Sequence, residues 1–380
     1  KLNRKKILGT GFIIVILILS ALSIITMASL SAPRAQNENK VSYYYLMRQM
    51  IWLIFGWLGF LVTANLNYKK YREITKYLYV IGAFSLVMVL VIGTTKNGAK
   101  RWIDLGMGMR IQPSEFVKLI LIVVLSTLVY NLKIRNKISK HPWLSSIVIM
   151  GTTGVYMFLI LFEKSFSNTV QIAIIGMTYL LVSELKFSII ALYTGLGGIL
   201  GWFGVMKVGY RASRIAEHTS KEIGFQTTQS LIAISNGKIF GKFYGNGFQK
   251  YGFLPEIHTD YIFSGYAEEN GFLGVVFLLG LYAALLIIIG ITLKKIKDLY
   301  AKYLLAGIFI TIATQVIGNV AVASKIMPST GIPLPMMSYG GSTMVAMMLM
   351  LGIVYNIIRT VYKQEMGNQL DELNEIDYMM

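Results

Sequence analysis

Between Tyr251 and Gly271 the sequence YGFLPEIHTDYIFSGYAEENG gathers Glu256, Asp260, Glu268 and Glu269 with His258 into 21 positions, although all 380 residues hold only 18 Asp and Glu. Carboxylates and an imidazole are the side chains of proton transfer. Pro255 suits the first position of a short helix, which would set Glu256 and Asp260 at i and i+4 on one side. The plainer reading is a set of solvated loop carboxylates. His258 fits a hydrogen-bonded interfacial histidine better than a metal ligand.

Three further stretches carry polar groups beside apolar runs. In NGAKRWIDLGMGMRIQPSEFVK (97–118), Pro113 and Glu115 make a helix start, with the acid at the positive end of the dipole. Lys118 then lies one turn into an apolar helix, where a cation is expensive and normally faces the bundle interior with a partner. A Glu115–Lys118 pair at i, i+3 is expected. Lys100, Arg101 and Trp102 combine cations with an amphipathic ring, for membrane anchoring or for gripping a lipid-linked anion. TGIPLPMMSYGGST (330–343) is a Pro-rich turn that passes Ser338 and ends in Gly340-Gly341 before the last apolar run. Glycines there either expose amides to an anion or allow close helix packing. In GFQTTQSLIAISNGKIFGKFYGNGFQK (224–250), Gln226, Gln229 and Ser230 mark the polar face of an amphipathic helix that leads into a glycine-rich turn.

The elements that must position these groups are helices in a bilayer. The chain is 55% hydrophobic and 14% charged, well below the roughly 25% charge of soluble domains, and its mean hydropathy is +0.59. Ten apolar runs approach the 20 or so residues a spanning helix needs: 7–30, 46–66, 77–94, 114–131, 143–162, 167–184, 187–206, 271–292, 301–323 and 342–362. The first follows KLNRKK but is too long for a signal peptide's apolar region, so it reads as a helix. The net charge of +18 does not point to nucleic acid. The basic residues fall in short clusters between apolar runs, as in YKKYREITK (68–76), KIRNKISKH (133–141) and KKIKDLYAK (294–302). These clusters alternate in register with the basic N-terminus and assign one side, and both termini, to the cytoplasm. Their secondary attraction is to anionic lipid headgroups or a diphosphate. The long segment 207–270 then faces outward, and 365–380 forms an acidic cytoplasmic tail, disordered or weakly helical. With no cysteine, there are no disulfides or thiolate metal sites. The expectation is one all-α, polytopic, ten-helix domain over 1–364, with a large extracytoplasmic loop between helices seven and eight.

The motifs GAKRWI (98–103), QPSEFVK (112–118), FQTTQSLIAI (225–234), LPEIHTDYIF (254–263), AEENGFLG (267–274) and TGIPLPMMSYGGS (330–342), in that order, resemble the SEDS family of RodA, FtsW and SpoVE. The resemblance implies a ten-helix fold with a large outward loop in the bacterial cytoplasmic membrane. It implies peptidoglycan glycosyltransferase activity, polymerising lipid II, with a class B penicillin-binding transpeptidase as partner. The family's essential aspartate falls on Asp260, its functional tryptophan on Trp102, its QPSExxK pair on Glu115 and Lys118, and the arginine that opens helix two on Arg48. Asp260 would then act as general base on an acceptor sugar hydroxyl. Arg48, Lys100, Arg101, Lys118 and the Gly340-Gly341 amides would face a departing lipid diphosphate, with an oxygen-rich Mg²⁺ or Mn²⁺ site as the fitting metal.

Two segments depart from the family pattern. Where members carry QPDLGT or EPDFGT, this chain reads EKSFSNT (163–169), so Ser165 stands at the acidic position, with Glu163 as a candidate substitute. After GYRASRI it reads AEHTSKEI (216–223) in place of FLDP. These departures motivate a second reading, a non-catalytic scaffold for a transpeptidase. A lipid II transporter is the third, and it would need a polar path through the helices.

Overall fold

The computed structural model describes residues 2–96, 99–106, 109–206 and 224–379. Helices dominate. In chain order they are α1 (Leu2–Asn37), α2 (Tyr44–Asn65), α3 (Tyr71–Ile92), α4 (Pro113–Ile134), the single turn α5 (Lys137–Lys140), α6 (Pro142–Phe162), α7 (Phe166–Val182), α8 (Phe187–Met206), α9 (Phe225–Gly237), α10 (Ile262–Lys295), α11 (Leu299–Ala323) and α12 (Gly341–Met379). Eight are long and apolar enough to cross a membrane, and the two remaining expected spans correspond to shorter apolar helices, Phe166–Val182 and Phe187–Gly198. The acidic tail continues α12 as helix to Met379. The segment 207–223, which holds all of GYRASRI and AEHTSKEI, lies outside the described residues.

Three helices form the centre of the bundle. More than half of the apolar windows of α4, α11 and α12 is buried, against about a quarter for α3 and α10. Tyr77, Val80, Phe84 and Val91 of α3 are all largely exposed. A soluble protein rarely shows so continuous an apolar surface; here it faces hydrocarbon, and the protein is a multi-pass membrane protein. Helix ends follow local chemistry. Pro113 opens α4 after an extended Gln112, and the Asp298 carboxylate caps α11 by accepting from Tyr300 N (2.8 Å) and Ala301 N (3.2 Å).

The all-α expectation needs one correction. Residues 94–111 contain a three-stranded antiparallel sheet, β1 (Thr94–Lys96), β2 (Ala99–Asp104) and β3 (Arg110–Ile111), in the order β1-β2-β3. Thr94 pairs with Trp102, and Ile103 with Ile111. A segment outside the helices must still satisfy its backbone groups, and this hairpin pairs them within itself.

α10 bends where it meets the loop before it. Gly271 has φ +64°, and a Cβ there would fall 2.2 Å from Gly241 N, so only glycine lets the two backbones touch. Before the bend, Ile262–Glu269 is wholly buried in protein; beyond it, Phe272, Leu273, Val276 and Phe277 are exposed. The bend therefore marks where α10 passes from protein contacts to lipid.

Candidate active site

The four carboxylates of 251–271 divide into two pairs with different tasks. Glu268 is fully buried and accepts hydrogen bonds from Phe248 N and Gln249 N, each at 3.1 Å, and from Asn236 Nδ2 at 3.4 Å. Glu269 pairs with buried Lys250 (2.8 Å), and Ser29 Oγ of α1 donates to the same carboxylate at 2.5 Å. These two acids fasten the loop 238–250 to α1 and α10. A buried carboxylate stays ionised at low cost only where its oxygens are satisfied, and both of these acids have such partners.

Glu256 and Asp260 face another way. The expected short helix at Pro255 does not form: residues 251–261 are a series of turns, with Glu256 at φ +56°. Glu256 closes its own turn by accepting from Thr259 Oγ1 (2.8 Å), and it reaches Arg34 of α1 at 3.3 Å. A helix would have spent those oxygens on solvent. The tertiary ion pair and the side-chain-to-backbone turn win instead.

Asp260 is half-buried and held from below. Asn319 Nδ2 of α11 donates to Asp260 O and to Ile332 O, each at 2.8 Å. The Asp260 carboxylate lies over Gly331: a Cβ there would come within 3.2 Å of Oδ2, and Gly331 has φ +72°. The TGIP turn is thus the cradle of the aspartate. Ser338 fixes the neighbouring backbone, donating to Thr259 O (2.6 Å) and accepting from Leu334 N (2.8 Å), while Tyr339 N donates to His258 O (2.8 Å). His258 is buried between the rings of Tyr45 and Tyr339, at 5.1 and 5.8 Å. Arg48 stacks on Tyr44 at 4.4 Å and stands within electrostatic reach of Tyr339 and of Asp104 on the hairpin.

A second polar group sits at the start of α4. Lys118 and Glu115, almost completely buried, pair at 2.9 Å, and Lys118 also donates to Gln171 Oε1 of α7 at 2.8 Å. Gln315 of α11 lies 3.4 Å from the same oxygen, one helical turn from Asn319. Ser114 receives Asn168 Nδ2 at 3.0 Å, and Ser167 Oγ donates to Thr330 O, next to Gly331. Asp260 and the Glu115–Lys118 pair therefore belong to one connected scaffold through α11, α7 and the 330 turn.

The remaining candidates are distributed around these groups. Arg101 turns to the carbonyls of Glu163 (3.2 Å) and Lys164, whereas exposed Lys100 reaches Leu90 O at 3.5 Å. Trp102 is half-buried and pairs with Thr94, while Lys100 pairs with Thr95 across a register shift that interrupts the alternation of β2. Gln226 and Gln229 are half-buried on α9. Ser230 departs from the expected polar face: it is buried, bonding Ser264 (2.6 Å) and Ala323 O (2.7 Å), and so packs α9 onto α10 and α11. Gly341 lies hard against Trp52, whose Cε2 would be 2.1 Å from a Cβ, so close packing is its evident task; Gly340 faces only Thr343.

Sequence reasoning missed Arg34, Asn319 and Gln171. Asn319 and Gln171 carried a signal, since amides inside apolar runs are rarely idle; Arg34 carried none beyond a cation near a helix end.

Glu163 follows α6 with its side chain fully buried, and neither oxygen has a well-formed hydrogen bond. Burial lifts its pKa to about 8, and nearby Ser114 and Arg101 oppose the shift only in part. Folded, it keeps its proton to about pH 8; its ordinary value is 4.5. Its contribution to stability is thus full below about 4.5 and declines as pH rises toward 8, by roughly 1 kcal/mol per unit. Glu163→Gln is expected to flatten the fall in melting temperature between pH 5 and 8; parallel curves for parent and variant would refute the assignment.

The family model for FtsW, RodA and SpoVE cell cycle proteins matches residues 10–363. The chain belongs to this family. It is 31% identical over 364 residues to a probable peptidoglycan glycosyltransferase FtsW of Coxiella burnetii, covering 93% of this chain and 96% of that one. To the stage V sporulation protein E of Bacillus subtilis it is 33% identical, covering 91% and 96%. Among solved structures, the Thermus thermophilus rod shape determining protein RodA superposes with a TM-score of 0.68 at 25% identity, covering 93% and 97%. A chain of a peptidoglycan synthase complex, studied for its coordination of polymerization and crosslinking, gives 0.73 at 26%, covering 93% and 98%.

Proposed function

We propose that this family member is a peptidoglycan glycosyltransferase that polymerises lipid II at the outer face of the bacterial cytoplasmic membrane, through ten spans with both termini inside. One observation carries the reading: Asp260 is half-buried but not sealed, in a cradle built by Gly331, Asn319 and Ser338. So much fixed structure around one carboxylate suits a group whose position matters to a reaction. The Asp260 carboxylate takes the proton from the 4-hydroxyl of the acceptor GlcNAc as that oxygen attacks the anomeric carbon of the donor MurNAc. The bond to undecaprenyl diphosphate breaks, and α becomes β. Arg48 and Lys100 steady the leaving diphosphate. Lys118 contributes less directly, because Glu115 already neutralises it in the interior.

A Mg²⁺ or Mn²⁺ ion would supply further charge to the diphosphate. Among the described residues no three His, Asp or Glu side chains stand close enough to cage a metal by themselves. Mg²⁺, however, is usually held by one or two carboxylates and substrate phosphates. Glu163, the candidate substitute for the missing family aspartate, is fully buried and keeps its proton to about pH 8, which suits it poorly as a ligand for such an ion.

The partner in this reading is a class B penicillin-binding transpeptidase, as the likeness to a chain of a peptidoglycan synthase complex supports. The test is polymerisation of purified lipid II with and without such a transpeptidase. Glycan strands of many disaccharides are expected. Retained partner binding with no product would favour the scaffold, and translocation without product the transporter.

A further inference from the structure

The turn that Glu268 and Glu269 fasten down carries side chains the reaction does not use. Ile239, Phe240, Phe243, Tyr244, Phe248 and Tyr251 are each more than half exposed. Lys238 and Lys242 stand among them, no acidic residue occurs between 237 and 255, and Lys242 Nζ lies 5.8 Å from the Phe248 ring. The turn is well fixed: Lys242 N donates to Glu268 O (2.9 Å), Gly241 N to Gly237 O (2.7 Å), and the buried Lys250–Glu269 pair closes its far end. Rigid, outward rings are unfavourable in water, where each forgoes the gain of burial.

Their place along α10 says what covers them. Phe272 N donates to Lys238 O (2.8 Å) and Leu273 N to Ile239 O (3.2 Å), so the turn abuts the point where α10 first shows its exposed apolar face. From Phe272 to the basic end at Lys294 the helix rises about 33 Å at about 1.5 Å per residue, close to the hydrocarbon thickness of about 30 Å. Ile239 and Phe240 therefore lie at the opposite boundary of the bilayer, continuous with the lipid-facing surface.

We propose that residues 238–251 form an interfacial anchor: the aromatic turn dips into the outer leaflet, with Lys238 and Lys242 on anionic headgroups, and holds the loop bearing Asp260 at a fixed height. Aromatic rings and lysines are the side chains that settle at this depth. The anchor is independent of the glycosyltransferase reading, and its test measures no product.

Because the chain has no cysteine, Phe240→Cys and Phe243→Cys each give a unique attachment point for a nitroxide. The full chain would be reconstituted without any partner in phosphatidylglycerol–phosphatidylethanolamine vesicles, with Val276→Cys as lipid-facing control and Lys137→Cys as aqueous control. At 240 and 243, collisions with oxygen should exceed those with a water-soluble nickel chelate, as at 276 and opposite to 137. Replacing phosphatidylglycerol by phosphatidylcholine should shift both labels toward water. Labels at 240 and 243 that behave like 137 in vesicles would overturn the anchor, and protection appearing only on addition of a transpeptidase would assign the surface to a protein instead. Equal depth in both lipid mixtures would overturn the role of the lysines.

Discussion

Asp260→Asn is expected to lower polymerisation of lipid II by about 10²–10⁴-fold, the usual contribution of a positioned general base. The amide keeps the size of the carboxylate, so the close approach over Gly331 is preserved. The hydrogen bond from Asn319 ends on the backbone oxygen of Asp260 and is indifferent to the side chain. Melting temperature should therefore stay near the parent's while product formation collapses. Asp260→Glu is a second probe: one added methylene in a cradle this tight displaces the carboxylate, and activity should fall without returning to the parent's value. Full polymer formation by Asp260→Asn would remove the aspartate from the reaction.

The second large effect concerns Lys118. Lys118→Met leaves Glu115 and Gln171 facing each other without a cation in a buried site. Removing one partner of a buried ion pair costs about 3–5 kcal/mol, a large share of the roughly 5–15 kcal/mol that holds a domain folded. The expected result is a sharp loss of folded protein in detergent, measured by monodisperse yield and melting temperature. Glu115→Gln should act in the same direction. The double variant Glu115→Gln/Lys118→Met removes both charges and should regain most of the stability. Because Lys118 already engages Glu115 and Gln171, we expect the double variant to regain much of the polymerisation too. Stability restored with polymerisation still lost would instead make the pair part of the reaction.

These two sites differ in how legible they were. The Glu115–Lys118 pair was readable because it is local: three residues apart on a helix is a contact fixed by the backbone. The start of α4 at Pro113 was visible for the same reason, from its capping residues, whereas the apolar run from 271 gave no sign that α10 begins at Ile262 and bends at Gly271. The turn around Glu256 was misread because its partner, Arg34, lies 222 residues away, and no local pattern announces such a pairing. The hairpin at 94–111 was passed over because its strands are two to six residues long, too short for alternation to show against the apolar helices around it. Ser230 sits at the spacing of a polar helical face, yet the packing of α9 between α10 and α11 turned it inward.

The sequence by itself determined that this is a bundle of membrane helices, which residues are too costly in hydrocarbon to be incidental, and, through its ordered motifs, the family. Those are properties of composition and of near neighbours along the chain, where the backbone sets the distances. Only the tertiary structure decided which of the four gathered carboxylates are buried to hold a loop and which stays half-buried over a turn. Glu268 and Glu269 were committed to holding a loop, and Asp260 to a cradle of residues more than 55 positions further along the chain. Such a division depends on which distant donors arrive at each oxygen, and that is settled only when the helices pack.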